Sequence, residues 1–442
     1  MPRTRRAAAQ LAEAGVDVSL GGDGTERLDA SPAPRCLVKS PGIGFDRPLP
    51  RAAASRGIPV IDELEAGWRL DARPVVAVTG TNGKSTVAEL VRAILARAGR
   101  RPAVAGNTNF GPPLSALAPE AADVVVAEVS SLQLEGCPAF LPEVAVVTNL
   151  TEDHLDRHGT MEAYARTKRR IALRDGAFAP HAVIGVRERF GRELARDLAA
   201  AGARVTTVGD AGAAELGLEG WTPVDGGSRV RAHAGGERLE LRTATYGEHN
   251  ARNSLVALAV ADAAGVRRDV ALAALADTPA PAGRLELVAE GPVEVLVDYA
   301  HNPDGVREAL RAARTRCRGR LHAVACALRV LTPDQRRAMG HAAALGCDRL
   351  VLSLDRMSAD EPGDALPSGL EAGARAAGGA EVRVVMDRPA AIADALAAAR
   401  PGDVVAILGR GERAYAVDAA GAVVERDDRS MAREALRAAA RP

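Results

Sequence analysis

The chain has 442 residues and a mass of 45.8 kDa, too long for one compact core and enough for two to four domains at roughly 100–200 residues each. Its 57 basic and 57 acidic residues cancel and aromatics are 2%, so neither a global field for nucleic acid nor a stacking platform for single strands is expected. With 47% apolar and 26% charged residues the composition is that of a globular protein.

No apolar run approaches the roughly 18 residues a membrane span needs. The basic, alanine-rich start is interrupted by Gln10 and Glu13 and reads as a helix rather than a secretory signal. Cys36, Cys137, Cys317, Cys326 and Cys347 form no C-x-x-C pair, which points to reduced thiols in a cytoplasmic protein with no nucleic-acid or membrane partner. Only Lys39, Lys84 and Lys168 are lysines, against 54 arginines. Arginine serves wherever only a charge is needed, so each lysine invites a chemical explanation.

Residues 1–71 read as a short α/β piece. PVVAVT (74–79) is a buried strand followed by a helix over 84–99. DVVVAEVS (123–130) and EVAVVTN (143–149) are further buried strands, and a helix is predicted over 161–175. Val/Ala runs without alternation mark strands covered on both faces, hence a parallel sheet. Residues 219–246 alternate and carry Gly-Gly turns, which predicts a small antiparallel insert. Helical segments 250–265 and 271–278 lead to the Pro-rich TPAPAG (278–283), a plausible linker. The strand–helix rhythm then restarts at VEVLVD (293–298) and runs to DVVAIL (403–408), a second doubly wound unit. The expected architecture is three α/β domains: residues 1–71, a central P-loop domain with a parallel sheet over 72–279, and a Rossmann-like domain over 280–442.

GTNGKST, Gly80–Thr86, carries the strongest chemical signal. It follows a strand and opens a helix, where backbone N–H groups bind phosphate oxygens. Lys84 would add a point charge, and the Ser85 and Thr86 hydroxyls suit Mg²⁺. The general P-loop pattern wants glycine where this chain has Val78, so the loop is a shortened variant. The bland alternative is a Gly-rich turn capped by Ser and Thr. Glu128 ends the buried strand of AEVSSLQLE (127–135), where an α/β sheet places ligands and where an unpaired carboxylate is costly. In NLTEDHLDRHG (149–159), Asp153, His154 and Asp156 crowd one loop, which alone reads as a polar turn as readily as a metal site.

The shortened loop, together with AEVSSLQLE, NLTEDHLDRHG, YARTKRRI (164–171), EHNARNSLVALAVA (248–261) and VDYAHNPDG (297–305), resembles the Mur ligase family, the ATP-dependent amide ligases of peptidoglycan precursor synthesis. The resemblance covers nearly the whole chain, and residues 39–171 are most similar to the D-glutamate-adding branch. It implies ATP bound by Gly80, Thr81, Asn82, Gly83, Lys84, Ser85 and Thr86, with Asn250 and Asn253 at the base and ribose, Arg284 at the phosphates and Asp298 at the ribose. Two Mg²⁺ ions are implied, held by Ser85, Thr86, Glu128, His154 and a carbamylated Lys168, an anionic oxygen ligand that arginine cannot imitate. The implied catalytic residues are Lys84, Glu128, His154 and Lys168. Ser40, Gly42, Asn107, His301, Asn302, Arg410 and Glu412 are the implied substrate contacts. The expected partners are a UDP-linked muramoyl substrate and an amino acid, taken up by a monomer.

Two departures bear on the substrate. KSPGIGFDRPLPRAAASRGIPVIDELEAGWRL (39–70) resembles the branch's UDP-binding first domain, yet the chain starts inside that domain's first helix, so part of a diphosphate-binding loop is expected to be missing. In the C-terminal part, LGRGERAYAV (408–417) and ERDDRSMAREAL (425–436) are instead similar to the branch that adds a diamino acid. That branch's selectivity motif falls on DRMS (355–358) without its arginine in place, and its Gly-rich loop is replaced by ALRVLTP (327–333). The first expectation is D-glutamate addition to UDP-N-acetylmuramoyl-L-alanine. The alternatives are another amino acid, in or outside the wall pathway, a nucleotide-binding regulator without ligase chemistry, and, more weakly, a P-loop kinase.

Overall fold

The computed structural model describes residues 2–71, 73–174, 176–327, 331–354, 369–413, 415–417 and 423–439. The chain folds as two compact units, the first made of residues 1–72, 113–116 and 132–140 and the second of the remainder. In the first unit, helices α1 (Pro2–Glu13), α2 (Pro48–Ser55) and α3 (Glu63–Leu70) accompany strands β1 (Leu37–Lys39) and β2 (Val60–Asp62), paired in parallel. Lys39 forms a buried ion pair with Asp62 at 3.2 Å, and Asp62 also caps α3 through the Leu64 N–H. Burial nevertheless pushes the Asp62 carboxyl up to about 6. One of the three lysines is thus explained by packing.

The second unit is built on two large sheets. Strands β3 (Val75–Thr79), β4 (Pro102–Gly106), β5 (Val124–Glu128), β6 (Val144–Val147), β7 (His181–Gly185), β8 (Arg204–Asp210), β9 (Leu216–Val224), β10 (Gly227–Ala234) and β11 (Glu237–Thr243) form the first, in the order β11-β10-β9-β8-β7-β6-β3-β5-β4. Every residue of β3, β5 and β6 is buried, as their unbroken Val/Ala runs require. Helices α4 (Lys84–Arg97), α5 (Met161–Arg169), α6 (Arg189–Ala201), α7 (Glu248–Ala263) and α8 (Arg268–Asp277) cover it. Helix α7 is apolar nearly all round, buried from Asn253 to Ala261, and packs against α4.

The alternating segment 219–246 is antiparallel, as expected, and it continues the large sheet: β9 pairs in parallel with β8 through Leu216–Leu218, and β10 and β11 follow in antiparallel fashion. One expectation is corrected. The helix predicted over 161–175 stops at Arg169, because Ile171 and Ala172 turn fully into the core and Gly176, in the left-handed region, closes a short hairpin of 173–174 with 177–178.

The second sheet has strands β12 (Glu286–Ala289), β13 (Glu294–Asp298), β14 (Leu321–Ala325), β15 (Arg349–Leu352), β16 (Glu381–Val384) and β17 (Val404–Leu408), in the order β12-β13-β17-β14-β15-β16. All pairs are parallel except β12 with β13. Helices α9 (Pro303–Arg314), α10 (Pro333–Gly346) and α11 (Leu370–Ala377) pack on one face, and α12 (Arg388–Ala398) and α13 (Asp428–Ala439) on the other. Successive strand residues alternate between the two cores: Leu296, Ala406 and Leu408 join the first, and Val295, Val297, Val405 and Ile407 the second. Among the described residues no helix is long and apolar enough to cross a membrane.

Candidate active site: a phosphate loop ringed by buried charge

Residues Gly80–Gly83 connect β3 to α4 at the carboxyl edge of the first sheet. Gly83 caps α4 in the left-handed region at φ 85°, and a Cβ there would lie 2.4 Å from Asn253 Oδ1, so glycine lets α7 press directly on the loop. The first N–H groups of α4 have no intrahelical partner, the usual anchor for phosphate. Lys84 Nζ donates to the Gly80 and Thr81 carbonyls at 3.1 and 2.9 Å, at the centre of the loop. Burial lowers its pKa against the opposing pull of Glu128 and Asp153. The loop is tied to the end of β6: Thr81 N–H donates to the Asn149 carbonyl at 3.0 Å and Asn82 N–H to Asn149 Oδ1 at 2.9 Å.

Glu128, 4% exposed, ends β5 opposite Val78, and Ser85 donates its hydroxyl to Glu128 Oε2 at 2.7 Å. A hydroxyl and a carboxylate thus converge beside the loop, two hard oxygens of the kind Mg²⁺ prefers. Thr86 is buried next to Ser85. Among the described residues no three His, Cys, Asp or Glu side chains gather as a ready metal cage. A cation here would draw on Ser85, Glu128, phosphate oxygens and water, which is how Mg²⁺ is commonly held.

Lys168 is 2% exposed, with Nζ donating to Thr79 Oγ1 at 3.1 Å and the Gly80 carbonyl at 2.9 Å. Burial, with Lys84 nearby, holds its pKa well below the usual lysine range, although Asp153 and Glu128 pull the other way. A neutral amine in that position is the form that reacts with CO₂. Tyr164, one helical turn earlier, stacks 5.0 Å from Lys168 Nζ and shares a 3.2 Å hydrogen bond with Thr81 Oγ1. His154 caps a short helix, Leu155–His158, that precedes α5, in the left-handed region at φ 50°, its ring a third exposed and 3.9 Å from Asp153.

Asp153, 2% exposed, is the hub between the two sheets. Burial raises its pKa, but His154, His301 and Lys84 together bring it below the usual carboxylate value. Asn302 Nδ2 donates to Asp153 Oδ2 at 3.2 Å and to Asn82 Oδ1 at 3.0 Å, bonding the loop before α9 to the phosphate loop. His301 is pushed down to about 4 by burial, with Asp153 opposing, and is neutral near pH 7.

The remaining expected residues divide. Asn250 and Asn253 are buried and bonded to each other at 2.9 Å, and Asn250 also donates to the Tyr246 carbonyl. Asp298 spends both carboxylate oxygens on backbone, accepting from Leu285 N–H at 2.6 Å and Ala300 N–H at 2.7 Å, and burial raises its pKa. Arg284 reaches within 3.4 Å of Ser85 Oγ and pairs with Glu412 at 2.6 Å. Asn107 N–H donates to the Glu128 carbonyl, which puts that exposed residue beside the site. Arg410 is 2% exposed, whereas Arg413 lies over the Tyr299 ring at 5.0 Å. Ser40 and Gly42 sit in an exposed loop after β1 in the first unit. Residues 328–330 and the DRMS segment, Arg356 included, lie outside the described residues.

Thr79, Asn109 and Tyr164 were not anticipated. Tyr164 had a legible signal, its spacing of four from Lys168 on one helix.

A family signature described as Mur ligase middle domain matches residues 78–261, and one described as Mur ligase, glutamate ligase domain matches 283–411. The UDP-N-acetylmuramoylalanine–D-glutamate ligase of Pelotomaculum thermopropionicum is 38% identical over 314 residues, covering 68% of this chain and 65% of that protein. The UDP-N-acetylmuramoyl-L-alanyl-D-glutamate–2,6-diaminopimelate ligase of Streptomyces coelicolor is 32% identical over 448 residues, covering 94% and 83%. This chain therefore spans a little under two thirds of the first relative and most of the second. The MurF ligase of Thermotoga maritima, solved in complex with ADP, shares the fold at a TM-score of 0.62 and 19% identity, over 88% of this chain and 95% of that one. The chain belongs to the Mur ligase family.

Proposed function

We propose that this protein is an ATP-dependent amide ligase that joins an amino acid to the carboxylate of a UDP-muramoyl substrate, with D-glutamate added to UDP-N-acetylmuramoyl-L-alanine as the favoured pair. The observation that carries the reading is the convergence of Lys84, the Ser85–Glu128 pair, Lys168 and Asp153 around one helix N-terminus. ATP lies with its phosphates on residues 80–86 and its base and ribose toward Asn250, Asn253 and Asp298. The substrate carboxylate attacks the γ-phosphorus and ADP departs, leaving an acyl phosphate. The amino group of the incoming residue then attacks the acyl carbon, and inorganic phosphate leaves with the C–O bonding pair.

Lys84 and Arg284 meet charge that shifts from the γ-phosphate to the ADP leaving group. Ser85, Thr86, Glu128, His154 and a carbamylated Lys168 are the residues that would hold Mg²⁺, which would add further neutralisation of phosphate charge. The bonds from Asn302 to Asn82 and Asp153 draw the two sheets together over the loop and limit water that would hydrolyse the acyl phosphate. Ser40, Gly42, Asn107, His301, Asn302 and Arg410 are kept as candidate substrate contacts, as the family resemblance implies.

The broad match to a diaminopimelate ligase, with residues 408–436, favours a second reading, addition of a diamino acid. Phosphate release across a panel of UDP-muramoyl donors and D- or L-amino acids tests both. Release that depends jointly on donor and acceptor supports a ligase, and ATP hydrolysis indifferent to both overturns it.

A further inference from the structure

Arg284 is held in a way that its expected contact with phosphate does not require. Gly283, at φ 66°, lies so close to the 411–412 turn that a Cβ there would be 2.4 Å from Glu412 N. Leu285, on the other side, sits in the left-handed region at φ 47°, rare for leucine, with its N–H fixed by Asp298. Between these two constraints the guanidinium meets Glu412 fork to fork, Nη1 to Oε2 at 2.6 Å and Nη2 to Oε1 at 3.1 Å. It also lies 4.4 Å over the Tyr299 ring. The Glu412 side chain is 6% exposed, and Asn109 Nδ2 donates to its Oε1 at 2.8 Å.

We propose that Glu412 is a positioning residue for phosphoryl transfer, whose carboxylate, fixed by Asn109, aims Arg284 at the phosphate end of the loop. The proposal rests on the reading above that Arg284 meets the ATP phosphates. A bidentate carboxylate offsets part of the guanidinium's attraction for phosphate, so its use lies in orientation. An arginine already ordered before the triphosphate arrives loses little freedom on binding, and its Nη2 edge faces Ser85. The competing assignment, direct contact of Glu412 with the incoming amino acid, predicts a different dependence on Arg284.

The test is a double-mutant cycle in the full chain with Arg284→Ala, Glu412→Ala and the double variant, reading kcat and KM for each substrate in phosphate release and the Kd for ATP by calorimetry. Arg284→Ala should lower kcat about 100-fold, as loss of one preorganised donor does. Glu412→Ala should lower kcat about 10-fold with KM for the amino acid within about 2-fold, and Glu412→Asp should recover part of that loss. The double variant should be no slower than Arg284→Ala. A further loss of about 10-fold in the Arg284→Ala background, or a rise confined to the amino-acid KM, would overturn the proposal, as would wild-type kinetics for Glu412→Ala. Wild-type turnover and ATP affinity for Arg284→Ala would remove the phosphate reading, and the proposal with it. The ATP Kd cycle stands whichever acceptor proves correct, so a wrong amino acid leaves the outcome readable.

Discussion

Ser85 donates its hydroxyl to Glu128 across 2.7 Å, joining the first turn of α4 to the last residue of β5. The contact follows from topology: β3 and β5 are parallel neighbours with Val78 opposite Glu128, so both strands deliver their carboxyl ends to the same loop. Under the proposed function this 4%-exposed carboxylate, bonded to the Ser85 hydroxyl, would face a cation beside the ATP phosphates.

Glu128→Gln should keep a hydrogen bond to Ser85 and the fold while losing the charge. Turnover is expected to fall by about 100-fold or more, several kcal/mol of transition-state stabilisation, and the Mg²⁺ concentration for half-maximal rate should rise. A Mg²⁺ titration of phosphate release checks this. An unchanged Mg²⁺ dependence would take Glu128 out of the metal's surroundings.

Lys168 makes a sharper case, because its buried amine is held well below the usual lysine pKa and reaches the carbonyl of Gly80. In its neutral form the amine can take up CO₂, losing a proton, to form a carbamate. Lys168→Ala should be inactive and partly restored by acetate, and Lys168→Arg should stay inactive with or without it. Depleting bicarbonate should slow the wild-type protein and leave Lys168→Ala plus acetate unaffected. Steady-state rates in degassed and bicarbonate-supplemented buffer decide the matter, and full activity of Lys168→Arg would sink the carbamate.

Much of this was legible in the sequence for a physical reason. Strands β3, β5 and β6 are covered on both faces, so their Val/Ala runs announce a parallel sheet, and the glycine that caps α4 in the left-handed region under Asn253 stands in plain view in GTNGKST. What stayed hidden depends on pairing at a distance. Asn109 and Glu412 meet 303 residues apart, and neither lies in a pattern that names the other. The join of β9 to β8 was equally silent, since alternation reports a half-covered strand and not its neighbour. Thr79 looked like the last residue of a strand, and only the fold brings Lys168 to its hydroxyl.

The second sheet carries a stability prediction. Arg388, 4% exposed, is bidentate to Asp428 at 2.7 Å and also donates to Ser353 Oγ and the Leu408 carbonyl, fastening the ends of β15 and β17. Removing one partner strands a buried charge, so Arg388→Met should cost about 3–5 kcal/mol, read by urea unfolding. Arg388→Met with Asp428→Leu should regain much of that. A double variant as unstable as the single would assign the cost to packing instead.

The last prediction concerns the acceptor. An amino acid with a side-chain carboxylate needs a cation facing it, and the C-terminal loops offer Arg410 and Arg413 among the described residues. Arg410 is enclosed at 2% exposure, whereas Arg413 is partly exposed over the Tyr299 ring, itself stacked 4.7 Å from His301. Arg413→Ala should therefore raise KM for D-glutamate far more than for ATP. Losing a desolvated, charge-assisted hydrogen bond costs about 1.5–3 kcal/mol, or roughly 10- to 150-fold. A wild-type competition with equal D-glutamate, L-lysine and meso-diaminopimelate, read by product mass, should yield mainly the D-glutamate adduct. A dominant diamino-acid product would transfer Arg413 to a different carboxylate and overturn the D-glutamate choice, while the ligase reading would stand.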